Sequence, residues 1–390
     1  MSDRPNPAPT AADRVQAWGA WLRKNGPTWR AFVIAVVLLA LADAAARVVA
    51  RWDLARDEFS PPWRSDALVR EYLQQLAEYR DPLIAMVGDS TLQPLPEMPH
   101  EITVPNLMQQ RLRAATGNPR WKVANLGLSG AHLADQLNIV RLLPKTAEVV
   151  IVTVNYKFLG PQAETPLTIY PGLAPIQEEL NLPPEIRILT APVWIARVGW
   201  RLLKNHWFLL RNGAWISDRL FSNRPGAWLH WQVSNGWFRQ QLHWVRCTMT
   251  GAPTQPISYS RWQPPYINDM RQAVSFSELR LGSKQMLKLF ALLTELRQRG
   301  FITIVYATPY DWTHLEEYFI ADRRTIHGNL ELLGALIEQA GAVFLDLSEM
   351  GEPGWFLDMD HLTAEGRGKL ADLLISEIRK RQRMAESLGQ

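Results

Sequence analysis
The chain has 390 residues, enough for one large domain or two modest ones with a substantial apolar core. Its one cysteine, Cys247, excludes an internal disulfide framework and any cysteine-rich metal site. The formal charge of +4 is small, but it is unevenly spread along the sequence.

Residues 1–30 are Pro- and Ala-rich at the start and read as a disordered tail. Residues 31–42 are twelve uninterrupted apolar positions, and apolar character continues to Ala50 apart from Asp43 and Arg47. About twenty such positions match the length needed to cross a bilayer. Trp18, Trp21 and Trp29 before the run and Trp52 after it suit interfacial anchors. Arg14, Arg23, Lys24 and Arg30 precede it, so the positive-inside rule puts the tail in the cytoplasm and the rest outside. Asp43 and Arg47, four apart on a helix, are expected to pair; at mid-bilayer each would cost about 2.5 to 3.5 kcal/mol. Two other readings fit the same run. One is a cleaved signal peptide, with Ala42-Asp43-Ala44 as its cleavage site; the other is a buried helix. The expectation is a single-pass anchor at 31–50 in a bacterial inner membrane, with the following domain periplasmic or extracellular.

Residues 51–80 are charged and helix-prone, broken by Pro61-Pro62, and read as a stalk. From Asp81 short apolar runs alternate with helical stretches: residues 83–87, 123–126, 149–154, 302–307 and 343–347. Continuous apolar runs of this length suit strands buried on both faces. In residues 283–299, Met286, Phe290, Leu293 and Leu296 fall on one helical face, and Gly300 supplies the stop. Five strands alternating with helices predict an α/β fold with a parallel sheet covered on both sides, in a domain spanning 81–390. In such sheets ligands bind beyond the carboxyl ends of the strands, where strand order reverses.

The alternation stops in an insertion at 160–270. Residues 194–262 hold nine of the seventeen tryptophans, and residues 194–246 carry eight Arg or Lys against the single acid Asp218. Arg197, Arg201 and Lys204 share one helical side, and Ile195, Val198, Leu202 and Leu209 another. Three readings stay open: contact with a membrane or membrane partner through 194–246, a stacking platform for sugars, or packing within the domain. No nucleic-acid partner is expected for a segment outside the cytoplasm.

The chemistry lies at two sites far apart in sequence. Gly88-Asp89-Ser90 directly follows the first apolar run, and Asp358-Met359-Asp360-His361 comes late in the chain. A serine hydroxyl becomes a nucleophile when a base takes its proton, and a histidine held in one tautomer by a carboxylate suits that task. Ser90 is the expected nucleophile, His361 the base and Asp358 the acid. Asp360 is an alternative acid with an awkward adjacent spacing, and His132 is a pocket residue or a structural one. The oxyanion needs donors; the Ser90 and Gly130 backbone N–H groups and the Asn155 side chain are the candidates, each at a strand end. The bland reading makes Gly88-Asp89 an ordinary turn and His361 a surface residue beside a helix cap at Thr363. The remaining histidines form no metal-ligand cluster, and no metal or cofactor is expected.

Taken together, these blocks resemble the SGNH (GDSL-type) hydrolase superfamily. The first is Gly88-Asp89-Ser90, the second residues 125–130 with Gly130, the third Thr153-Val154-Asn155-Tyr156, and the fifth Asp358-x-x-His361 followed by Leu362-Thr363-Ala364-Glu365-Gly366. The third block departs from the family's Gly-x-Asn-Asp, with Thr153 and Tyr156 in place of the glycine and aspartate. The resemblance implies a three-layer α/β/α fold with a five-stranded flavodoxin-like sheet, and ester hydrolysis or acyl transfer. With the apolar span, it implies membrane-anchored members that acylate envelope polysaccharides through an acyl-serine. Their partners would be an acyl donor, a glycan acceptor and a multi-span membrane O-acyltransferase. A tethered glycan or lipid esterase, and a non-catalytic assembly subunit, are the alternatives.

Overall fold
The computed structural model describes residues 29–56, 66–94, 100–159 and 279–388, with isolated positions at 20, 170, 173, 207, 208 and 267. The expectations for residues 1–28 and for most of the insertion at 160–270, its tryptophan-rich part included, lie outside the described residues. The chain divides into two units, Met1–Val48 and Val49–Gln390.

Helix α1, Trp29–Arg56, runs through the first unit and into the second. Its window Val33–Trp52 is long and apolar enough to cross a membrane. Its side chains from Val33 to Leu41 are exposed, Leu38 at 60% and Leu41 at 61%, whereas Ala50 and Leu54 near its end are buried. Arg47 Nε donates to Asp43 Oδ2 at 3.0 Å, the i, i+4 pairing expected from the sequence.

In the second unit, α2 (Asp66–Glu78) buries Leu68, Val69, Tyr72, Leu73 and Leu76 along one side. The Thr146 hydroxyl donates to the Leu76 carbonyl at 3.4 Å, and Lys122 lies over the Tyr72 ring. Residues 66–80, expected in the stalk, are thus part of the folded body. Their i, i+3, i+4 leucine pattern is a docking face, which charge content alone conceals.

Five parallel strands follow: β1 (Leu83–Gly88), β2 (Lys122–Gly127), β3 (Ala147–Val154), β4 (Ile302–Ala307) and β5 (Val343–Asp346), in the order β2-β1-β3-β4-β5. This is the flavodoxin-like order, whose reversal lies between β1 and β3. Between successive strands lie α3 (Val104–Thr116), α4 (Leu133–Leu142), α5 (Lys284–Gln298), and α6 (Trp312–Glu317) with α7 (Arg323–Gln339), and α8 (Ala364–Leu388) follows β5. On one face Ile84, Met86, Val149, Ile151, Ile304 and Tyr306 form a core with Met108 and Leu112 of α3 and Leu370, Leu374 and Ile378 of α8. The alternating strand positions Leu83, Ala85, Val87, Val150 and Val152 are also buried, against the opposite helical layer, where α4 and α5 pack together. The result is the three-layer α/β/α arrangement.

Helix α5 starts where expected, with the Ser283 hydroxyl accepting from Met286 N at 3.2 Å, and Gly300 ends it at a φ of 74°. Its buried stripe is wider than expected. Leu289 and Leu292 are buried beside Met286, Leu293 and Leu296, whereas Phe290 is only half-buried. A helix wedged between a sheet and a neighbouring helix must cover both, which a single heptad-like row does not do.

Candidate active site
Strand β1 runs straight into the nucleophile block. Asp89 is fully buried, and its Oδ1 accepts from the Thr91 backbone N–H at 2.9 Å and the Thr91 hydroxyl at 2.6 Å. That cap starts a 3-10 turn over Ser90–Leu92 and holds Ser90 half-buried at the strand's carboxyl end. Gly88 is required by space: a Cβ there would stand 2.7 Å from Thr153 Oγ1 and 2.9 Å from Leu92 Cδ1. Thr153, where the resemblance has glycine, therefore fits because its bulk fills the gap that Gly88 leaves. Asn125 braces the same turn, donating to the Leu92 carbonyl at 2.8 Å and accepting from Gly127 N at 3.0 Å.

The late block closes on itself. An isolated antiparallel bridge joins Phe356 to Leu362, and Leu357 N donates to the His361 carbonyl at 2.8 Å. The turn between them is fastened to the end of β4, with Asp311 N donating to the Met359 carbonyl at 3.0 Å. Asp358 is thereby folded back onto His361. Its Oδ1 accepts from His361 N at 2.8 Å, and both carboxylate oxygens lie 2.9 Å from His361 Nδ1. On the other side of the ring, His361 Nε2 is 3.0 Å from Ser90 Oγ. Ser90, His361 and Asp358 therefore form one continuous hydrogen-bonded chain, as the sequence predicts. The surface-histidine reading does not hold.

Asp360 is closer to the imidazole than its spacing suggests. It is 1% exposed, with Oδ1 3.2 Å from His361 Nδ1. Its Oδ2 accepts from Asn155 Nδ2 at 2.6 Å and pairs with Lys157 Nζ. Burial acts against the charged form of Asp360, but Lys157 and His361 outweigh it and hold the carboxyl well below the ordinary carboxylate range. Burial likewise acts to lower the His361 pKa. The Asp360 charge and the Asp358 and Asp360 contacts outweigh it, and His361 is pushed up to about 10.

Asn155 ends β3 next to the site, but its amide is spoken for. Nδ2 donates to Asp89 Oδ2 at 2.9 Å and to Asp360 Oδ2 at 2.6 Å; Oδ1 accepts from the Tyr310 hydroxyl at 2.8 Å and from Lys157 N at 3.3 Å. As found, the Asn155 side chain has no hydrogen left for an oxyanion, and to donate one it must leave a carboxylate. This corrects the expectation of a ready side-chain donor. Gly130 has a φ of 69°, a left-handed conformation that glycine adopts without strain. Among the described residues, neither the Ser90 nor the Gly130 backbone N–H has a hydrogen-bond partner. The Tyr170 hydroxyl steadies the Gly130 loop by donating to the Ser129 carbonyl at 2.7 Å. His132 is structural: it is buried at the start of α4, where its N–H donates to Asp135 Oδ2 at 3.0 Å.

Sequence reasoning missed Lys157 and Tyr310. Tyr310 stands just past β4, where the strand-end rule places site residues, so position alone could have raised it. Lys157 carries no motif. Asp358, Asp360 and His361 also offer three possible metal donors within 4.8 Å of one another. The Lys157 ammonium already occupies the charge-compensating position at Asp360, and a cation would have to displace it.

No family model matches the chain, and no curated protein matches it in sequence. Solved structures do match. A Desulfitobacterium hafniense DCB-2 protein described as lipolytic and of the G-D-S-L family is 10% identical, with a TM-score of 0.32 over 75% of this chain and 97% of its own. An Agrobacterium tumefaciens str. C58 protein described as an arylesterase is 11% identical, with a TM-score of 0.34 over 77% of this chain and 99% of its own. At such values neither carries an activity over to this chain.

Proposed function
We propose that this chain is an SGNH-type serine enzyme that moves acyl groups, anchored in a bacterial inner membrane by α1 and acting on an envelope polysaccharide. The observation that carries this reading is the 3.0 Å approach of Ser90 Oγ to His361 Nε2, with Asp358 on the opposite ring nitrogen. Ser90 Oγ attacks the carbonyl carbon of an acyl ester as its proton passes to His361 Nε2. The carbonyl oxygen becomes an oxyanion, received by the backbone N–H groups of Ser90 and Gly130. Asn155 joins them when substrate draws it from Asp89 or Asp360. Collapse breaks the bond to the leaving alcohol, which takes the proton from His361, and leaves an acyl-serine. A hydroxyl then attacks the acyl-serine, with His361 accepting its proton and returning it to Ser90.

If the second hydroxyl belongs to a sugar, the enzyme is an O-acyltransferase; if it belongs to water, an esterase. The apolar window Val33–Trp52 and the basic residues before it support a tethered enzyme working beside envelope glycans, and the transferase is preferred on the resemblance to membrane-anchored members of the superfamily. A multi-span O-acyltransferase is the partner that would supply the acyl donor from within the membrane. The tethered esterase is the second reading, and the hydrogen-bonded serine weighs against a non-catalytic assembly role.

The test is fluorophosphonate labelling of the full chain, compared with Ser90→Ala. Labelling that needs Ser90 supports the reading, and an unlabelled wild-type protein overturns it. Acyl transfer to an unacylated oligosaccharide, against acyl release from an acylated one, separates transferase from esterase. Retention in the membrane fraction after deletion of residues 1–50 would refute α1 as the sole anchor.

A further inference from the structure
A catalytic histidine of this kind needs one carboxylate, and His361 faces two. Asp358 supplies the acceptor, with both oxygens 2.9 Å from Nδ1. Asp360 Oδ1 stands 3.2 Å from the same nitrogen, buried and without an aligned hydrogen bond. It therefore acts on the ring mainly through its charge. Two carboxylates on one imidazole stabilise the imidazolium, and a base that keeps its proton cannot take that of Ser90.

The opposite oxygen of Asp360 carries the counterweight. Lys157 Nζ sits on Oδ2 together with Asn155 Nδ2, so the loop after β3 holds this carboxylate from behind. Burial acts to lower the Lys157 pKa, but Asp360, Asp89 and Asp358 outweigh it and raise it, which keeps the ammonium charged. Among the described residues, Asp358 and Asp360 on its own loop face the imidazole, and Lys157 after β3 stands behind Asp360 with Asp89 near it.

Resting on the reading of Ser90 as nucleophile, we propose that Lys157 is a positioning residue for the reaction. By pinning and partly cancelling Asp360, it sets where the imidazole sits and how readily it yields a proton. It touches neither substrate nor reacting atoms; it acts through Asp360.

The experiment uses the full chain in detergent micelles and two readouts. One is the pH dependence of fluorophosphonate labelling at Ser90. The other is the ¹⁵N titration of the His361 ring, assigned by its loss in His361→Gln. Lys157→Met should move both midpoints up by about one pH unit, the size expected when a close opposite charge is removed from the Asp360 side of the ring. Lys157→Arg should restore the wild-type midpoints, and Asp360→Asn should move both down by about one unit or more. A uniform loss of labelling with unmoved midpoints would overturn the proposal, leaving Lys157 a purely structural role. If Lys157→Met does not fold, Asp360→Asn decides, because an unmoved midpoint there is equally fatal. A wild-type protein that never labels, yet whose ring titration shifts as described, would sink the nucleophile reading and leave the Lys157 coupling standing.

Discussion
Asn155 Nδ2 lies 2.6 Å from Asp360 Oδ2, so the loop after β3 and the loop carrying His361 are joined by a buried hydrogen bond. Asp360 pairs on with Lys157, and Asn155 also meets Asp89 and Tyr310. The site is therefore a network, in which one deletion removes contacts from several buried groups. Mutational effects on rate and on stability are entangled here.

Asn155→Ala should lower both turnover and melting temperature. Losing an oxyanion donor typically costs about 10² to 10³ in rate. Removing one hydrogen bond each from Asp89, Asp360 and the Tyr310 hydroxyl, which keep their other partners, adds about 1 to 3 kcal/mol of destabilisation in all. Parallel thermal melts and ester turnover check this. A variant that loses rate at an unchanged melting temperature would refute the structural share of the role.

Asp358→Asn should be milder than the loss of about 10⁴ seen when a lone triad carboxylate is neutralised. Asp360 Oδ1 remains 3.2 Å from His361 Nδ1, and its charge still stabilises the imidazolium. The double variant Asp358→Asn/Asp360→Asn should show the full loss. Rates of the two single variants and the double provide the measure, and simple additivity would contradict the shared role.

kcat/KM should climb with pH from about 6 to 9, by about tenfold per unit, as His361 sheds its proton. The sign follows from the His361 pKa being pushed up to about 10 by Asp360 and Asp358 against burial. The same shift has a stability consequence. The folded-state pKa exceeds the unfolded value, so this stabilisation is complete below about pH 6.5 and lost as pH rises towards 10. A pH–rate profile flat from 6 to 9 would contradict the assignment.

Gly88→Ala should destabilise the domain by about 1 to 3 kcal/mol, the usual cost of overpacking. The new methyl would lie 2.7 Å from Thr153 Oγ1 and 2.9 Å from Leu92 Cδ1. Adding Thr153→Gly should recover part of the loss by clearing one of the two contacts. Urea denaturation of the single and double variants tests this, and no recovery would place the strain at Leu92.

Much of this was legible in the sequence, for identifiable reasons. The strands announced themselves because both faces are covered, so 83–87 or 149–154 reads as an unbroken apolar run. Ser90, Asp358 and His361 were legible because nucleophile, acid and base sit in short local blocks. Lys157 was not, because its meaning lies in a contact with Asp360 across 203 positions, and Asp360 could be read only as a rival acid. The burial of 66–78 was hidden by its charged flanks, and the stripe of α5 was misjudged at Phe290 because a helix with two neighbours needs two rows of apolar residues.

Ser90 and His361 are 271 positions apart, one leaving β1 and the other following β5 at the far edge of the sheet. A chain still being synthesised thus carries its alcohol long before the histidine beside it is made. Reactivity switches on only when the C-terminal layer has closed over the strands, since loops this long form late. A molecule stalled or clipped before His361 would hold Ser90 without its base.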